Sequence, residues 1–335
     1  MPVSIRDVAQ RAGVSVGTVS NVLNRPDDVS SDSVTRVTRA IDELGYVRND
    51  AARKLRAGIS TTVGFVVLDG QNPFYNDVVR GAEDEASSHG IAILYGNTDE
   101  DPSREKVYLD LFREQQVRGI LLAPFGDVLP QLRRLRQAGI SPVLVDRFNA
   151  NREFSSISVD SVAGGRIAVE HLIEIGRRRV AFVGGPFQLR QMTDRLAGAR
   201  AAAENAPVPV DLEVLAVESM TVEAGVAAGS RILSRPRRER PDAIFAGNDL
   251  LALGLLQSLV VDGRLLVPNE IALIGFDDTI FASAAAIPLS SIRQPSRMIG
   301  RTALRIVLEE ARDPEAIPRQ TVFPPELIVR RSTLG

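Results

Sequence analysis

Residues 5–24 read Ile5-Arg-Asp-Val-Ala-Gln-Arg-Ala-Gly-Val-Ser-Val-Gly-Thr-Val-Ser-Asn-Val-Leu-Asn24. Ser4 precedes this stretch as a helix cap, and Asp7 three residues later completes a box-like pair. Gly13 then breaks the first helix, and Ser15 caps a second one. A helix, a tight glycine-containing turn and a second helix that opens with small and hydroxyl residues form the helix-turn-helix pattern.

Two more helical segments follow within the first sixty residues. The third helix begins at Ser30 or Ser31 and ends at Gly45, because glycine commonly terminates helices. Its apolar face has spacings of 3, 4 and 3 residues and consists of Val34, Val37, Ile41 and Leu44. A short fourth helix is predicted over 51–56. No strand is predicted in this part of the chain.

In a helix-turn-helix, the first helix lies across the DNA backbone and the second enters the major groove by its N-terminal end. Hydroxyls and backbone N–H groups at that end bond phosphates, which leaves Val16, Gly17 and Asn21 to face base edges. The pattern alone also fits a three-helix bundle without a ligand. Charge does not decide between a DNA-binding unit and a bundle without a ligand, because residues 1–60 carry only 9 Lys/Arg against 7 Asp/Glu in a chain of net charge −2.

Composition excludes several other classes of protein. There is no cysteine, and the two histidines, His89 and His171, lie 82 residues apart, so we expect no metal site, no disulfide and no cofactor. No stretch approaches the roughly 18 apolar residues of a membrane span. Residues 1–20 lack the apolar block of a secretory signal, which predicts a cytoplasmic protein.

Two fragments superficially match enzyme motifs. Gly13-Val-Ser-Val-Gly17 has the spacing of a nucleophile elbow, but it lies in a helix–helix turn with no preceding strand. Gly184-Gly-Pro186 follows a predicted strand but lacks the Gly-Lys-Ser/Thr ending of a phosphate-binding loop. We therefore expect no enzymatic activity.

From Thr62 onward the chain alternates short apolar runs with amphipathic segments. The predicted strands are Val63–Leu68, Ile91–Tyr95, Gly119–Ala123, Val143–Val145, Val180–Val183, Ala243–Ala246 and Ile271–Ile274. The predicted helices include Asp77–His89, Val162–Ile175, Leu250–Val261 and Ser296–Glu310. This alternation predicts parallel sheets covered by helices on both faces, and about ten strands are better divided between two similar lobes than placed in one sheet.

Several fragments together resemble the lactose-repressor (LacI) family. In the first part they are Asp7-Val-Ala, Ala12-Gly-Val-Ser, Thr18-Val-Ser, Val22-Leu-Asn, Leu44-Gly-Tyr and the run 49–58. Further on they are Asn72-Pro-Phe, Asn97-Thr-Asp, Val145-Asp-Arg, Gly164-Gly, Gly184-Gly-Pro, Arg195-Leu-Ala-Gly, Gly247-Asn-Asp and Gly275-Phe-Asp-Asp278. Their order and spacing are specific, and the resemblance covers nearly the whole chain.

The resemblance implies an all-α helix-turn-helix headpiece over 1–48, a hinge helix and linker over 49–60, and a two-lobed α/β domain like a periplasmic binding protein over 61–335. Within that domain we expect lobe 1 to comprise about 61–160 and 295–318, and lobe 2 about 161–290 and 319–331. The resemblance also implies a homodimer on a palindromic DNA operator, since dimer symmetry mirrors operator symmetry.

The predicted DNA-contacting residues, partly from the motif and partly from the resemblance, are Ser4, Ser15, Val16, Gly17, Thr18, Ser20, Asn21, Asn24, Tyr46, Asn49, Leu55 and Arg56. By resemblance, Leu55 is a wedge that unstacks a base step in the minor groove; the alternative is ordinary packing within a short helix. Many family members carry arginine where this chain has Asn21. Asparagine favours adenine or a backbone contact, so the operator core is expected to differ.

The predicted effector site lies at the carboxyl ends of the strands, where open α/β sheets bind ligands. Polar residues directly after predicted strands are Asp146, Arg147, Asn248 and Asp277. By resemblance, the effector-contact positions are Phe74, Asp146, Arg195, Asn248, Asp277 and Gln294, and further candidates are Asp160, Arg190 and Phe245. Each polar candidate has an alternative role as a helix cap or turn residue.

These features predict a transcription regulator, most simply a repressor, whose effector is a small molecule. The polar groups of the predicted site favour a sugar as that effector. Carboxylates, amides and guanidinium groups bond hydroxyls in pairs. The effector would favour one arrangement of the lobes over another and so shift operator affinity. The alternatives are a sugar-binding protein of transport or chemoreception and an enzyme of sugar metabolism. The headpiece and the missing signal peptide argue against the first, and the missing catalytic groups against the second.

Overall fold

The computed structural model describes residues 3–46, 60–148 and 152–334. The chain forms two compact units, Met1–Ile59 and Ser60–Gly335. The predictions for the hinge helix, including Asn49, Leu55 and Arg56, lie outside the described residues.

The first unit is helical, as predicted. Its elements are α1 (Ile5–Ala12), α2 (Val16–Asn24), a 3₁₀ turn (Pro26–Asp28) and α3 (Ser31–Leu44). Ser4 and Asp7 form a reciprocal capping box at the start of α1, which satisfies two backbone N–H groups. The apolar faces of the three helices meet in one small core of Val8, Ala9, Ala12, Val19, Val22, Val37 and Ala40.

The second unit contains two six-stranded sheets. Sheet A has the order β11-β5-β4-β3-β1-β2 and is parallel throughout. Its strands are β1 (Thr62–Val67), β2 (Ala92–Asn97), β3 (Gly119–Leu122), β4 (Ser141–Val145), β5 (Ser155–Val159) and β11 (Gln320–Phe323).

Sheet B has the corresponding order β12-β10-β9-β8-β6-β7, and only its edge strand β12 is antiparallel to its neighbour. Its strands are β6 (Arg179–Gly184), β7 (Asp211–Ala216), β8 (Ala243–Ala246), β9 (Ala272–Asp277), β10 (Ser290–Arg293) and β12 (Glu326–Ile328). We call sheet A with its helices lobe 1 and sheet B with its helices lobe 2. The predicted two-lobed α/β architecture is confirmed.

Helices lie between most of the successive strands. They are α4 (Pro73–Ser88), α5 (Pro102–Glu114), α6 (Leu129–Gln137), α7 (Ser161–Glu174), α8 (Arg190–Glu204), α9 (Val222–Leu233), α10 (Asp249–Leu256), α11 (Ile280–Ala284) and α12 (Ser296–Glu310). A π-helical segment, Gln257–Asp262, continues α10. Among the described residues, no helix is long and apolar enough to cross a membrane.

Paired glycines bring helix backbones into direct contact. A Cβ on Gly81 of α4 would lie 2.0 Å from the carbonyl oxygen of Arg297 in α12, and one on Gly300 of α12 would lie 1.8 Å from that of Val78. The α7–α8 and α9–α10 pairs cross in the same way, at Gly165 with Gly198 and at Gly225 with Gly254. Any larger side chain at these crossings would force the helices apart.

The structure corrects two features of the sequence prediction. Gln320–Phe323 pairs with Ser155–Val159 in sheet A, so this segment belongs to lobe 1, and the placement of all of 319–331 in lobe 2 is wrong. Five strands were not predicted: β5, β7, β10, β11 and β12. Their polar residues interrupt the apolar run that marks a buried strand, and in β5 and β10 buried serines do so.

Candidate functional site

The turn between α1 and α2 is fixed by backbone conformation and by one arginine. Gly13 has φ of +63°, a left-handed conformation that favours glycine. The Arg36 guanidinium of α3 donates to the carbonyl oxygens of Ala12 (2.5 and 3.0 Å) and Gly13 (2.8 Å). Arg36 therefore fixes the turn from the third helix, a role that sequence reasoning missed because the partners lie more than twenty positions apart.

The predicted base-reading residues lie on the exposed side of α2. Val16, Gly17 and Asn21 are exposed, whereas Val19 and Val22 are buried against the other two helices. This arrangement leaves the N-terminal end of α2 accessible to a DNA groove.

Several of the predicted phosphate-contacting groups also hold the headpiece together. The Ser15 Oγ accepts from the Thr18 backbone N–H at 3.0 Å, and the Asn24 Nδ2 donates to the Ser20 carbonyl at 2.7 Å. The Ser4 hydroxyl donates to Asp7, and Tyr46 is half-buried against the headpiece core.

In the second unit, a small cleft lies between the two lobes, where the carboxyl ends of their strands meet. Lobe 1 contributes Leu68, Asp69, Asn72, Phe74, Tyr75 and Asp146 to its wall, lobe 2 contributes Gln191, Arg195, Met220, Asn248 and Asp277, and Gln294 lies on the segment that returns from lobe 2 to lobe 1. The cleft therefore gathers six predicted residues: Phe74, Asp146, Arg195, Asn248, Asp277 and Gln294.

Asp277 at the end of β9 is the centre of a buried polar cluster. Its carboxylate accepts from Gln294 Nε2 at 2.7 Å and from Asn72 Nδ2 at 3.2 Å, and Arg195 Nη2 lies 3.8 Å away. Arg195 also donates to the Gly247 carbonyl at 2.6 Å and stacks on the Phe276 ring. Burial raises the pKa of Asp277, and the neighbouring Arg195 opposes that rise.

Asp146 is the corresponding carboxylate of lobe 1, at the end of β4. It accepts from the Tyr75 hydroxyl at 2.9 Å and from Gln191 Nε2 at 3.4 Å. Burial raises the pKa of Asp146 to about 6, against the lowering effects of Arg195 and of the Tyr75 hydrogen bond.

Asn248 and Asp249 begin α10 beneath the cleft. Asn248 caps the helix through the Leu251 N–H and donates to the Met220 carbonyl at 3.1 Å. Asp249 is fully buried and accepts hydrogen bonds from Thr279 and Ser291. Burial and the nearby Asp277 charge raise the pKa of Asp249 to about 7.

Four predicted effector residues are not among those lining the cleft. Asp160 caps α7 through the Ala163 N–H, and Arg190 is exposed and pairs with Asp194. Arg147 donates to the Gly126 carbonyl.

Phe245 is buried in the core of lobe 2, with ring centroids 5.2 Å from Phe182 and 6.5 Å from Phe276, and its ring does not line the cleft. An apolar residue near the end of a strand does not reveal from sequence which face of the sheet it occupies.

The cleft also includes residues that sequence reasoning missed: Leu68, Asp69, Asn72, Tyr75, Gln191 and Met220. Asn72 belongs to the fragment Asn72-Pro-Phe, from which only Phe74 was predicted to contact the effector. No group of histidine or carboxylate side chains within the described ranges could hold a metal ion, and His171 instead bonds Thr333.

A helix-turn-helix unit and two α/β lobes with a polar cleft between them define a ligand-binding transcriptional regulator. Residues 4–49 match the profile of bacterial regulatory proteins of the lacI family, and residues 169–333 match that of a periplasmic binding protein-like domain. The chain is 31% identical over 336 residues to the HTH-type transcriptional regulator DegA of Bacillus subtilis (strain 168), with 99% of this chain and 98% of DegA covered. It is also 31% identical to the HTH-type transcriptional repressor CytR of Escherichia coli (strain K12), with 98% and 96% covered.

The chain is also similar to solved structures of transcriptional regulators. A complex of the transcriptional regulator CelR with cellobiose is 32% identical, with a TM-score of 0.71 and coverage of 98% and 99%. A lac repressor dimer bound to operator and the anti-inducer ONPF is 25% identical, with a TM-score of 0.85 and full coverage of both chains. The chain belongs to the lacI family and is a DNA-binding transcriptional repressor. The prediction of a regulator rather than an enzyme is confirmed, because these relatives are regulators.

Proposed function

We propose that the effector of this repressor is a sugar, bound between the two lobes, and that its binding changes the affinity of the protein for its operator. The polar residues that line the cleft are the observation that supports this proposal most strongly. Asp146 from lobe 1, and Arg195, Asn248 and Asp277 from lobe 2, converge on one small space. Carboxylates and amides accept and donate the paired hydrogen bonds that ligand hydroxyls need.

Charge favours an uncharged ligand. The cleft wall contains the carboxylates Asp69, Asp146 and Asp277 against the single guanidinium of Arg195. That guanidinium already donates to Gly247 and faces Asp277. A phosphate or carboxylate on the ligand would therefore meet more negative than positive charge. The relative solved with cellobiose supports the same class of ligand.

We further propose that the protein works in the cytoplasm as a homodimer that reads a palindromic operator with two headpieces. The relative crystallised as a dimer on its operator supports this arrangement. Val16, Gly17 and Asn21 would face the bases, with Asn21 favouring adenine. Leu55 would act as the minor-groove wedge. A ligand that holds the lobes in one orientation shifts the population competent for DNA.

A thermal-shift panel of pentoses, hexoses, disaccharides, sugar phosphates and nucleosides tests the effector class. A ligand at 100 times its Kd adds about 2.7 kcal/mol of stability. We expect a neutral sugar to raise the melting temperature and to alter retardation of an operator selected from random DNA. Stabilisation by nucleosides or sugar phosphates alone would contradict the proposal. For the DNA site, removal of residues 1–57 should abolish retardation and leave the lobes folded; continued retardation would refute that assignment.

A further inference from the structure

Two hydrogen bonds join the lobes across the cleft, and they are reciprocal. Asn72 Nδ2 of lobe 1 donates to Asp277 Oδ2 of lobe 2 at 3.2 Å. Gln191 Nε2 of lobe 2 donates to Asp146 Oδ2 of lobe 1 at 3.4 Å. Each lobe therefore supplies one amide donor and one carboxylate acceptor.

Both acceptors belong to the cleft to which we assign the effector. A ligand hydroxyl that donates to Asp277 or Asp146 needs lone pairs of the same carboxylates that the two amides occupy. Asp277 has few to spare, because its other oxygen accepts from Gln294. Asp146 uses the same oxygen, Oδ2, for Gln191 and for Tyr75.

We propose that Asn72 and Gln191 form an interlobe latch that closes the cleft and competes with the effector for Asp277 and Asp146. This inference rests on the proposed effector site and adds how access to it is regulated. When the latch holds, the lobes are joined by the protein's own amides. When the effector binds, its hydroxyls replace those amides, so the lobes exchange one set of bridging contacts for another.

The two bonds of the latch are unequal. Asn72 and Asp277 are only 5% and 6% exposed, so water competes little for their hydrogen bond. The bond from Gln191 is longer and only partly buried. Loss of a hydrogen bond to a charged group should lower the ratio of closed to open protein about tenfold or more at Asn72, and less at Gln191.

Tyr75 offers a matched control for the latch. Its hydroxyl donates at 2.9 Å to the same Asp146 oxygen that Gln191 uses, but both Tyr75 and Asp146 belong to lobe 1. Tyr75→Phe removes a shorter hydrogen bond to that carboxylate without removing a contact between the lobes. Any effect of the Asp146 environment itself would appear in both variants, whereas an effect on closure would appear only in Gln191→Ala.

Asn72 also caps α4, since its Oδ1 accepts from the Phe74 N–H at 3.0 Å. Asn72→Ser keeps a good N-cap residue but removes the amide that reaches Asp277. Asn72→Asp keeps the capping acceptor as well and places a second carboxylate against Asp277, which should open the cleft further.

The chain contains no cysteine, so two introduced cysteines give a clean pair of labels. The labels are introduced by Ser103→Cys and Glu218→Cys, at two positions that are exposed and that follow β2 and β7. These two strands form the edges of the sheets that lie away from the strands at which the chain crosses between the lobes. Distance distributions by electron–electron double resonance on the full-length protein then report closure without any effector. Circular dichroism establishes that each variant is folded.

An open cleft gives a long distance between the two labels. We expect the fraction of molecules with this long distance to be small in the parent and in Tyr75→Phe, larger in Gln191→Ala, and dominant in Asn72→Ser and Asn72→Asp. Unchanged distances in both Asn72 variants would overturn the latch, and so would equal opening by Tyr75→Phe. Neither result would contradict the proposed function, because the thermal-shift panel tests the sugar effector separately.

Discussion

Replacement of Arg195 by alanine tests the buried cluster at the centre of the cleft. The Arg195 side chain is 3% exposed and lies 3.8 Å from Asp277, whose side chain is equally buried. Removal of one partner of a buried ion pair costs about 3–5 kcal/mol, because the remaining charge is left uncompensated. At the proposed effector site, the same change should also remove a charge-assisted hydrogen bond to the sugar, which is worth about 1.5–3 kcal/mol, or a ten- to hundredfold loss of affinity.

Urea denaturation followed by circular dichroism measures the first effect, and calorimetry with the sugar that the thermal-shift panel selects measures the second. Asp277→Asn is the matched variant, because it removes the charge and keeps the shape. Added to Arg195→Ala, it should restore part of the lost stability, since no buried carboxylate then remains unpaired. A stability loss below about 1 kcal/mol in Arg195→Ala, together with unchanged sugar affinity, would refute the cluster's role.

Three further predictions concern the hinge, the helix crossings and the buried acids. Leu55→Ala should weaken binding to operator more than binding to random DNA in a retardation assay, because a wedge acts only where DNA kinks; equal losses would favour simple packing. Gly300→Ala should lower the unfolding free energy in urea by about 3 kcal/mol, because its Cβ would lie 1.8 Å from the Val78 carbonyl; no loss would contradict the close crossing. Asp146 and Asp249 have pKa values raised to about 6 and about 7, so the folded protein takes up protons that the unfolded chain does not. Stability should therefore rise as pH falls from 8 to 6, and Asp249→Asn should flatten that rise.

The headpiece could be predicted from sequence because its signals are local. Ser4, Gly13, Ser15 and Gly45 each cap or end a helix through backbone groups within a few residues. Strands of the second unit with continuous apolar runs were found for the same reason.

The strand Ser155–Val159 was missed because its polar groups are satisfied from far along the chain. Ser155 donates to Glu310, and Ser156 donates to Gln320. Nothing near these serines in sequence indicates that they are buried, so an alternating or apolar pattern could not identify the strand.

The site shows the same division. Asp146 and Asp277 follow apolar strands directly, so the rule that ligands bind at strand carboxyl ends located them. Asn72 and Gln191 face acceptors in the opposite lobe, 205 and 45 positions away. Such contacts depend on how the lobes close, which local sequence does not encode.

Operator binding with and without the sugar, measured by fluorescence anisotropy, tests whether a ligand bound in the cleft controls the affinity for DNA. We expect the sugar to change the operator Kd of the parent protein. Asp277→Asn should still bind the operator, but its operator Kd should no longer respond to the same sugar concentration. An equal response in parent and variant would contradict an effector bound at Asp277 between the lobes.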